Sequence, residues 1–304
     1  MKQLAAAAAL SIASVLSLMS SAKAQDKVVN VYNWSDYIDP TVLEDFTKET
    51  GIKVVYDVYD KNETVEAKLL AGKSGYDVIV PSATFVQRFV EQKLIMPLDN
   101  AKLPNLKNQW PQIQKDISVY DPGNKYVVPY MWGTVGIGVN VKKVKEAFSG
   151  DIPGAWDLAF DPKLIVKLKA CGVHMLDAPE DVFPAALRWL KLDPNTKKAE
   201  DFRKAAAALV KIRGNVRKFH SSEYINALAN GDICLAAIWS GDAGIARTRA
   251  EESGNGVVIQ YSIPEEGALL WFDLMAIPSD APNPAAANTF INFLLQPEVI
   301  AKAS

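Results

Sequence analysis

The amino-acid sequence predicts an α/β fold built from mostly parallel sheets with helices on both faces. Short apolar runs alternate with amphipathic helical segments between residues 28 and 93, which is the pattern of repeated βαβ units. Capping residues such as Gly51 and Ser82 lie at the ends of these helical segments. Residues 25–304 are long enough for two domains of ordinary size, so we expect two such α/β units.

The N-terminal segment has the features of a secretory signal peptide. A short basic start, Met1-Lys2, precedes a stretch of small and apolar residues, and Ala22-Lys23-Ala24 fits a small-x-small cleavage site. The apolar stretch is too short for a permanent membrane span. We therefore predict a signal peptide over residues 1–24 and an exported mature chain that begins at Gln25.

The first six predicted elements of the mature chain alternate regularly. Strands are predicted at residues 28–32, 52–60 and 76–81, and helices at residues 40–51, 62–75 and 82–93. Ligands of such sheets bind beyond the carboxyl ends of the strands. The loops that follow the first and third strands are therefore candidate binding loops.

The later elements are less regular. The segment 126–140 is extended and punctuated by glycine, and we expect it to carry the chain from one lobe to the other. Helices are predicted at residues 142–148, 184–192, 199–213 and 285–296, and strands at residues 233–239 and 268–277. Ser221 or Ser222 is expected to cap a helix, and Asp242 to begin the next one.

Aromatic and acidic residues recur at the ends of predicted strands. The loop after the first strand contains Trp34, Ser35, Asp36 and Tyr37. Exposed together, these side chains would form an unusual cluster. The alternative is structural: Ser35 or Asp36 caps a helix, and Trp34 covers the core.

The same pairing of a ring and an acid occurs twice more, at Trp239 with Asp242 and at Trp271 with Asp273. Asp273 is the only charged residue of the apolar run LLWFDLMAI, residues 269–277. Strand alternation places Trp271 and Asp273 on one face, where an indole ring beside a carboxylate suits an ammonium group. The alternatives are a core Asp273 neutralised by Lys, Arg or a backbone amide, and an Asp242 that only caps a helix.

Composition and motifs exclude several classes of function. The chain has 35 acidic and 33 basic side chains, a net charge of −2, and no basic stripe, so no nucleic-acid partner is expected. Nucleotide-binding, calcium-binding, zinc-protease and serine-hydrolase motifs are absent from the sequence, and we expect neither a cofactor nor a metal. The two cysteines, Cys171 and Cys234, are expected to form a disulfide in an exported protein.

Several long segments resemble the periplasmic polyamine-binding proteins of bacterial ABC importers, the putrescine and spermidine receptors. The resemblance covers nearly the whole mature chain and rests on these segments: YNWSDYI (32–38), KETGIKVVYDVYD (48–60), GYDVIVPS (75–82), DPGNKYVVPYMWGTVGIGVNV (121–141), CGVHMLDAPEDVF (171–183), FHSSEYINALANGDIC (219–234) and WFDLMAIP (271–278). It implies a two-lobed, type II periplasmic-binding-protein fold that closes over an extended polyamine. Lobe 1 would comprise residues 25–131 with 255–300, and lobe 2 residues 132–254.

The resemblance also implies roles for the candidate residues. Ligand contacts are expected from Trp34, Ser35, Asp36, Tyr37, Ser82, Asp181, Trp239, Asp242, Trp271 and Asp273. Asp181 stands where the family usually has Glu, so a bridging water is expected at that end of the ligand. Trp271 stands where Phe is common; the larger ring either narrows a diamine pocket or extends the stacking surface, and we expect a preference for spermidine. The cysteine pair also matches the family's disulfide.

The expected protein is thus a monomeric, non-enzymatic periplasmic receptor that delivers polyamines to an ABC permease in the inner membrane. Family members continue for several dozen residues past the position of Ser304, so the chain is expected to lack a segment that completes lobe 2. One alternative is a periplasmic enzyme on the same fold that acts on a small amine through a Cys nucleophile. A receptor for sugars or anions is disfavoured, because three candidate acids (36, 242 and 273) lie at strand ends with no facing Arg cluster.

Overall fold

A computed structural model describes residues 27–303 of the chain. The predicted signal peptide, residues 1–24, lies outside the described residues. Within residues 27–303, no helix combines the length and the apolar character that a membrane crossing requires.

Within residues 27–303, ten strands form one continuous sheet. They are β1 (Val28–Trp34), β2 (Lys53–Tyr59), β3 (Val78–Ile79), β4 (Ile95–Met96), β5 (Val127–Asn140), β6 (Val173–Met175), β7 (Lys218–Phe219), β8 (Leu235–Trp239), β9 (Ile259–Ser262) and β10 (Leu270–Pro278). The strand order is β2-β1-β3-β10-β5-β8-β6-β7, with β4 paired to β10 and β9 paired to β5.

Thirteen α-helices of the described chain cover the sheet. They are α1 (Pro40–Thr50), α2 (Asn62–Leu70), α3 (Ala83–Glu91), α4 (Pro111–Ile117), α5 (Val141–Ala147), α6 (Ala155–Phe160), α7 (Pro162–Leu168), α8 (Pro179–Trp189), α9 (Ala199–Ile212), α10 (Tyr224–Ala229), α11 (Ser240–Ser253), α12 (Pro284–Leu294) and α13 (Pro297–Ala303). Short 3₁₀ turns occur at Asn100–Lys102, Pro104–Asn108 and Arg213–Asn215.

The predicted α/β class is confirmed, with parallel strands in the outer parts of the sheet and antiparallel strands at its centre. β1 pairs in parallel with β2 and β3, and β6 pairs in parallel with β7 and β8. The two long strands β5 and β10 run antiparallel to each other and to their neighbours. These two strands connect the outer parts of the sheet.

Three clusters of buried hydrophobic residues identify the two lobes among the described residues: two lie in the first lobe and one in the second. Val128 and Tyr130, near the start of β5, belong to the core around β1 and β10. Val135, Ile137 and Val139, near its end, belong to the core around β6 and β8. The segment 126–140 therefore carries the chain between lobes, as its extended pattern predicts.

The limits of the lobes stay a prediction. β9 pairs with residues 137–140 of β5, and Ile259 packs in the core of the second lobe. We therefore propose that the chain returns to the first lobe after Ser262 rather than at residue 255.

Three local predictions are wrong in detail. The helix expected at residues 184–192 is α8, which begins at Pro179 and ends at Trp189. The helix expected at residues 62–75 ends at Leu70, because Gly72, Lys73 and Gly75 all have positive φ angles that a helix cannot continue through. Neither Ser221 nor Ser222 caps α10. The ring Nδ1 of His220 instead accepts hydrogen bonds from the backbone N–H groups of Ser222 and Glu223.

The expected disulfide is confirmed. Cys171 and Cys234 are bonded, with their Cα atoms 5.5 Å apart. Cys171 follows α7 and Cys234 precedes β8, so the bond lies wholly within the second lobe. Because the chain has only two cysteines, no free thiol remains when this bond is formed.

Candidate functional site

A cleft with about 1080 Å³ of open space, including its solvent-open part, lies between the lobes. Loops at the carboxyl ends of β1, β2 and β3 form one wall, and loops after β6 and β8 form the other, as the rule for α/β sheets requires. Nine of the ten predicted site residues line it: Trp34, Ser35, Tyr37, Ser82, Asp181, Trp239, Asp242, Trp271 and Asp273.

Asp273 is buried in the wall of the first lobe, with only 6% of its surface exposed. The Tyr37 hydroxyl donates to its Oδ2 at 2.9 Å, and the Ser82 hydroxyl donates to its Oδ1 at 2.7 Å. Both partners are neutral, and among the described residues no Lys, Arg or His pairs with Asp273. The alternative of a core Asp273 satisfied by Lys, Arg or a backbone amide is therefore wrong, since hydroxyl groups are its hydrogen-bond partners among the described residues.

Ser82 and Asn62 fix the position of Asp273. Ser82 occupies the N-cap position of α3 as predicted, but its hydroxyl makes no capping bond and donates to Asp273 instead. Asn62 holds Ser82 from two sides: its Nδ2 donates to the Ser82 Oγ at 3.2 Å, and its Oδ1 accepts from the Ser82 backbone N–H at 3.0 Å. Asn62 was not predicted, although it follows the end of β2 as Ser82 follows β3.

Asp242 lies in the first turn of α11, in the wall of the second lobe. The buried Tyr224 hydroxyl donates to its Oδ2 at 2.5 Å. The N-cap residue of α11 is Trp239, and no side chain caps the first backbone N–H groups of this helix. Helix capping therefore does not explain the carboxylate of Asp242.

Asp181 lies in the first turn of α8 in the same wall and is 7% exposed. The indole Nε1 of Trp239 donates to its Oδ2 at 2.7 Å. Asp181 thereby holds the Trp239 ring in place, a role that the sequence did not predict. The bridging water expected beside Asp181 stays a prediction.

Burial disfavours the ionised form of all three carboxyl groups, so each binds a proton more readily than an exposed aspartate does. Desolvation raises the pKa of Asp181 and of Asp242 to about 7, while the hydrogen bonds from Trp239 and Tyr224 oppose the shift. Desolvation also raises the pKa of Asp273 to about 6, opposed by the two hydroxyl donors. A cation that enters the cleft would supply the positive partner that these buried carboxylates lack.

Aromatic rings form much of the remaining lining. The Trp34 indole donates to the Val80 carbonyl at 2.8 Å, and its ring centroid lies 6.1 Å from that of Trp239 across the cleft. Trp271 lies directly against Gly133, because a Cβ at residue 133 would come within 2.4 Å of the Trp271 Cζ2. Glycine at 133 is therefore needed for the ring position of Trp271.

Asp36 is the one predicted site residue outside the lining. Its Oδ1 accepts from the Arg249 guanidinium at 2.8 Å, so its charge is already paired with the second lobe. Lys61 and Asp177 form a second ion pair between the lobes, and both line the cleft. Sequence reasoning missed Lys61, Asp177, Asn62 and Tyr224. For Asn62, its position at the end of β2 was an available signal.

No candidate metal centre accompanies these residues: within residues 27–303, no three His, Cys, Asp or Glu side chains are arranged to hold a metal ion.

Comparison with known proteins gives a consistent family. The family described as bacterial extracellular solute-binding protein matches residues 41–304. The chain is 52% identical to the putrescine-binding periplasmic protein SpuD of Pseudomonas aeruginosa, over 97% of this chain and 80% of the relative. It is 51% identical to the putrescine-binding periplasmic protein PotF of Escherichia coli, over 92% of this chain and 76% of the relative.

Solved structures give the same result for the fold. A putative spermidine/putrescine ABC transporter protein from Listeria monocytogenes superposes with a TM-score of 0.79 at 35% identity, over 91% of this chain and 80% of that one. The two-lobed fold expected from the sequence is thereby confirmed.

Proposed function

Because the chain belongs to the bacterial extracellular solute-binding protein family, we propose that it is a periplasmic receptor that captures the polyamines putrescine and spermidine in the cleft and delivers them to an ABC permease. One observation supports this more than any other. The carboxylates of Asp181, Asp242 and Asp273 lie in one cleft, and each is bonded to a neutral donor instead of a cation. A ligand with several ammonium groups supplies the missing positive charge.

Recognition would replace the water around each ammonium group with carboxylate oxygens and aromatic faces. Trp34 and Trp239 flank the cleft from opposite lobes, and an ammonium over a ring face gains about 0.5–1 kcal/mol when exposed and about 2 kcal/mol or more when desolvated. Methylene groups of the ligand would pack on the same rings. The gain from desolvation explains why closure of the lobes over the ligand matters to affinity.

Closure would also produce the surface that the permease binds. Residues on both walls contact one ligand, so binding favours the closed arrangement of the lobes over open ones. Asp36–Arg249 and Lys61–Asp177 are the ion pairs that join the two lobes beside the cleft.

The enzyme alternative requires a Cys nucleophile. Both cysteines are joined in the disulfide, and a disulfide sulfur is not a thiolate. We therefore propose a receptor without catalytic activity. Thiol titration of the native protein tests this, because a reactive thiol would favour the enzyme.

Isothermal titration calorimetry tests the receptor proposal directly. Putrescine and spermidine are titrated into the protein at pH 8, with butylamine, which has a single ammonium group, as the matched control ligand. We expect saturable 1:1 binding of the polyamines and much weaker binding of butylamine. Equal affinity for butylamine, or no binding of any amine, would overturn the proposal.

A further inference from the structure

A lysine side chain lies in the outer part of a cleft that otherwise carries only acidic charge. The cleft lining includes the three inner carboxylates, Asp181, Asp242 and Asp273, and four further acidic residues: Asp60, Glu63, Asp177 and Glu180. Lys61 is the only Lys or Arg of the described residues in that lining. Its presence is not required by the receptor function, since an ammonium ligand gains nothing from a nearby cation.

The position of Lys61 is well defined by the fold. Lys61 lies in the loop between β2 and α2, next to Asn62, which is 2% exposed and bonded to Ser82. Its ammonium group contacts the Asp177 carboxylate in the loop between β6 and α8 of the opposite lobe. The hydrogen bond to Asp177 is the main cause of the raised pKa of Lys61, and the nearby charges of Asp60 and Glu63 raise it further.

The outer acidic residues form a group distinct from the inner ones. Asp177 and Glu63 are exposed, and Glu180 is half-buried. Desolvation is the main cause of the raised pKa of Glu180, and the neighbouring charges of Glu63 and Asp177 add to it, so these side chains share one region. A polyamine that is too long for the inner carboxylates would bring its further ammonium group to this region.

We propose that Lys61 is a specificity-determining residue that makes the cleft favour short diamines over longer polyamines. Its ammonium group takes the place beside Asp177 that an additional ligand ammonium group would need. A diamine satisfies the inner carboxylates and leaves the Lys61–Asp177 pair intact. A triamine must displace Lys61 or lie beside it, and like charges repel. This inference rests on the proposed polyamine function, and it opposes the spermidine preference expected from the size of Trp271.

The test compares the ratio of spermidine to putrescine affinity in matched variants by calorimetry at low salt. In Lys61→Met the ratio is expected to rise about two- to fivefold in favour of spermidine, the range for partly exposed charges. In Asp177→Asn the ratio is expected to fall, because Lys61 loses its counter-charge and the third ammonium loses a partner. Lys218→Met is the control: Lys218 pairs with Glu223 outside the cleft lining, and its ratio is expected to match that of the unmodified protein.

The opposite directions of the two cleft variants separate this role from a simple link between lobes. If the pair only held the lobes together, Lys61→Met and Asp177→Asn would weaken both ligands equally and leave the ratio unchanged. That result, or a lower ratio in Lys61→Met, would overturn the inference while the receptor function stands. Absence of polyamine binding by the unmodified protein would overturn both.

Discussion

The two walls of the cleft hold their carboxylates in different ways. In the first lobe, Asp273 accepts from two hydroxyl groups, those of Tyr37 and Ser82, and its pKa is about 6. In the second lobe, Asp181 and Asp242 each accept from one side-chain donor, and their pKa values are about 7. Desolvation is the main cause of all three shifts; two hydroxyl donors oppose it at Asp273, whereas neighbouring carboxylates add to it at Asp181 and Asp242.

This difference assigns different roles to the walls. Asp273 keeps its negative charge over a wider pH range and is the more constant anchor for an ammonium group. Because their pKa values are raised to about 7, Asp181 and Asp242 are expected to take up protons at a higher pH than Asp273. The second wall should therefore respond to pH and the first wall to mutation of its carboxylate.

The largest expected effect comes from Asp273→Asn. A bound ammonium group would lose its buried counter-charge, which costs about 3–5 kcal/mol, or roughly two to three and a half orders of magnitude in polyamine affinity. Calorimetry on the variant measures this loss. Asp45→Asn is the control, because Asp45 pairs with Lys302 outside the cleft. Unchanged affinity in Asp273→Asn would show that the first wall is not the anchor.

The disulfide distinguishes the lobes in stability. Replacement of both cysteines, Cys171→Ser with Cys234→Ser, should lower the free energy of unfolding by about 4 kcal/mol, since the bond closes a loop with a sequence separation of 63 residues. Because the bond lies within the second lobe, hydrogen exchange should accelerate there first. Equal acceleration in both lobes would contradict this assignment.

Polyamine affinity should fall as the pH is lowered from 8 to 5. Carboxylates with pKa values of about 7, 7 and 6 take up protons in this range, and only the ionised form pairs with ammonium. The loss approaches about tenfold per pH unit for each proton that the ligand must displace. Calorimetry in buffers of different ionisation enthalpy should detect proton release on binding near pH 7, and no release would contradict the raised values.

The stability of the ligand-free protein should change in the opposite direction. The three pKa values are raised above the ordinary Asp value of 3.8, so the folded state binds more protons than the unfolded state between about pH 4 and 7. The contribution of these groups to stability therefore decreases as the pH rises through that window. Thermal unfolding of the protein, with Asp273→Asn for comparison, measures this contribution.

The smallest expected effects come from removing a single hydroxyl donor to a carboxylate in each wall of the cleft. Tyr224→Phe removes the side-chain donor of Asp242 and should weaken polyamine binding at pH 7 by about 1.5 kcal/mol, roughly tenfold. Tyr37→Phe leaves Asp273 with the Ser82 hydroxyl and should weaken binding by about half that free energy. Titration of both variants decides the comparison, and a larger loss in Tyr37→Phe would reverse it.

Much of the site could be predicted because acids in apolar runs and rings at strand ends are visible in the sequence. Asp273 stands out in LLWFDLMAI, and Trp34, Ser82 and Asp242 follow strands whose pattern is clear. The α/β alternation of the first lobe was predicted because short apolar runs alternate with amphipathic segments there. Helix ends were less certain, as at Leu70, where tertiary context and positive φ angles set the boundary.

What the sequence could not provide is which distant residue meets which. Tyr37 and Asp273 are 236 positions apart, and no local pattern indicates their hydrogen bond. Asp36 was assigned to the ligand because its partner Arg249, 213 positions away, could not be seen. Ser82 has an ordinary capping position, and only the fold shows that its hydroxyl serves Asp273 instead.

The pairing of β10 with β5 has a consequence for protein engineering. Trp271 pairs with Gly133 and Asp273 with Met131, so two cleft residues belong to the very strands that join the lobes. A substitution at either position therefore changes a strand that joins the lobes as well as the chemistry of the cleft. Redesign for a new ligand would be easier to interpret at Asp181 or Asp242, which lie on helices away from that connection.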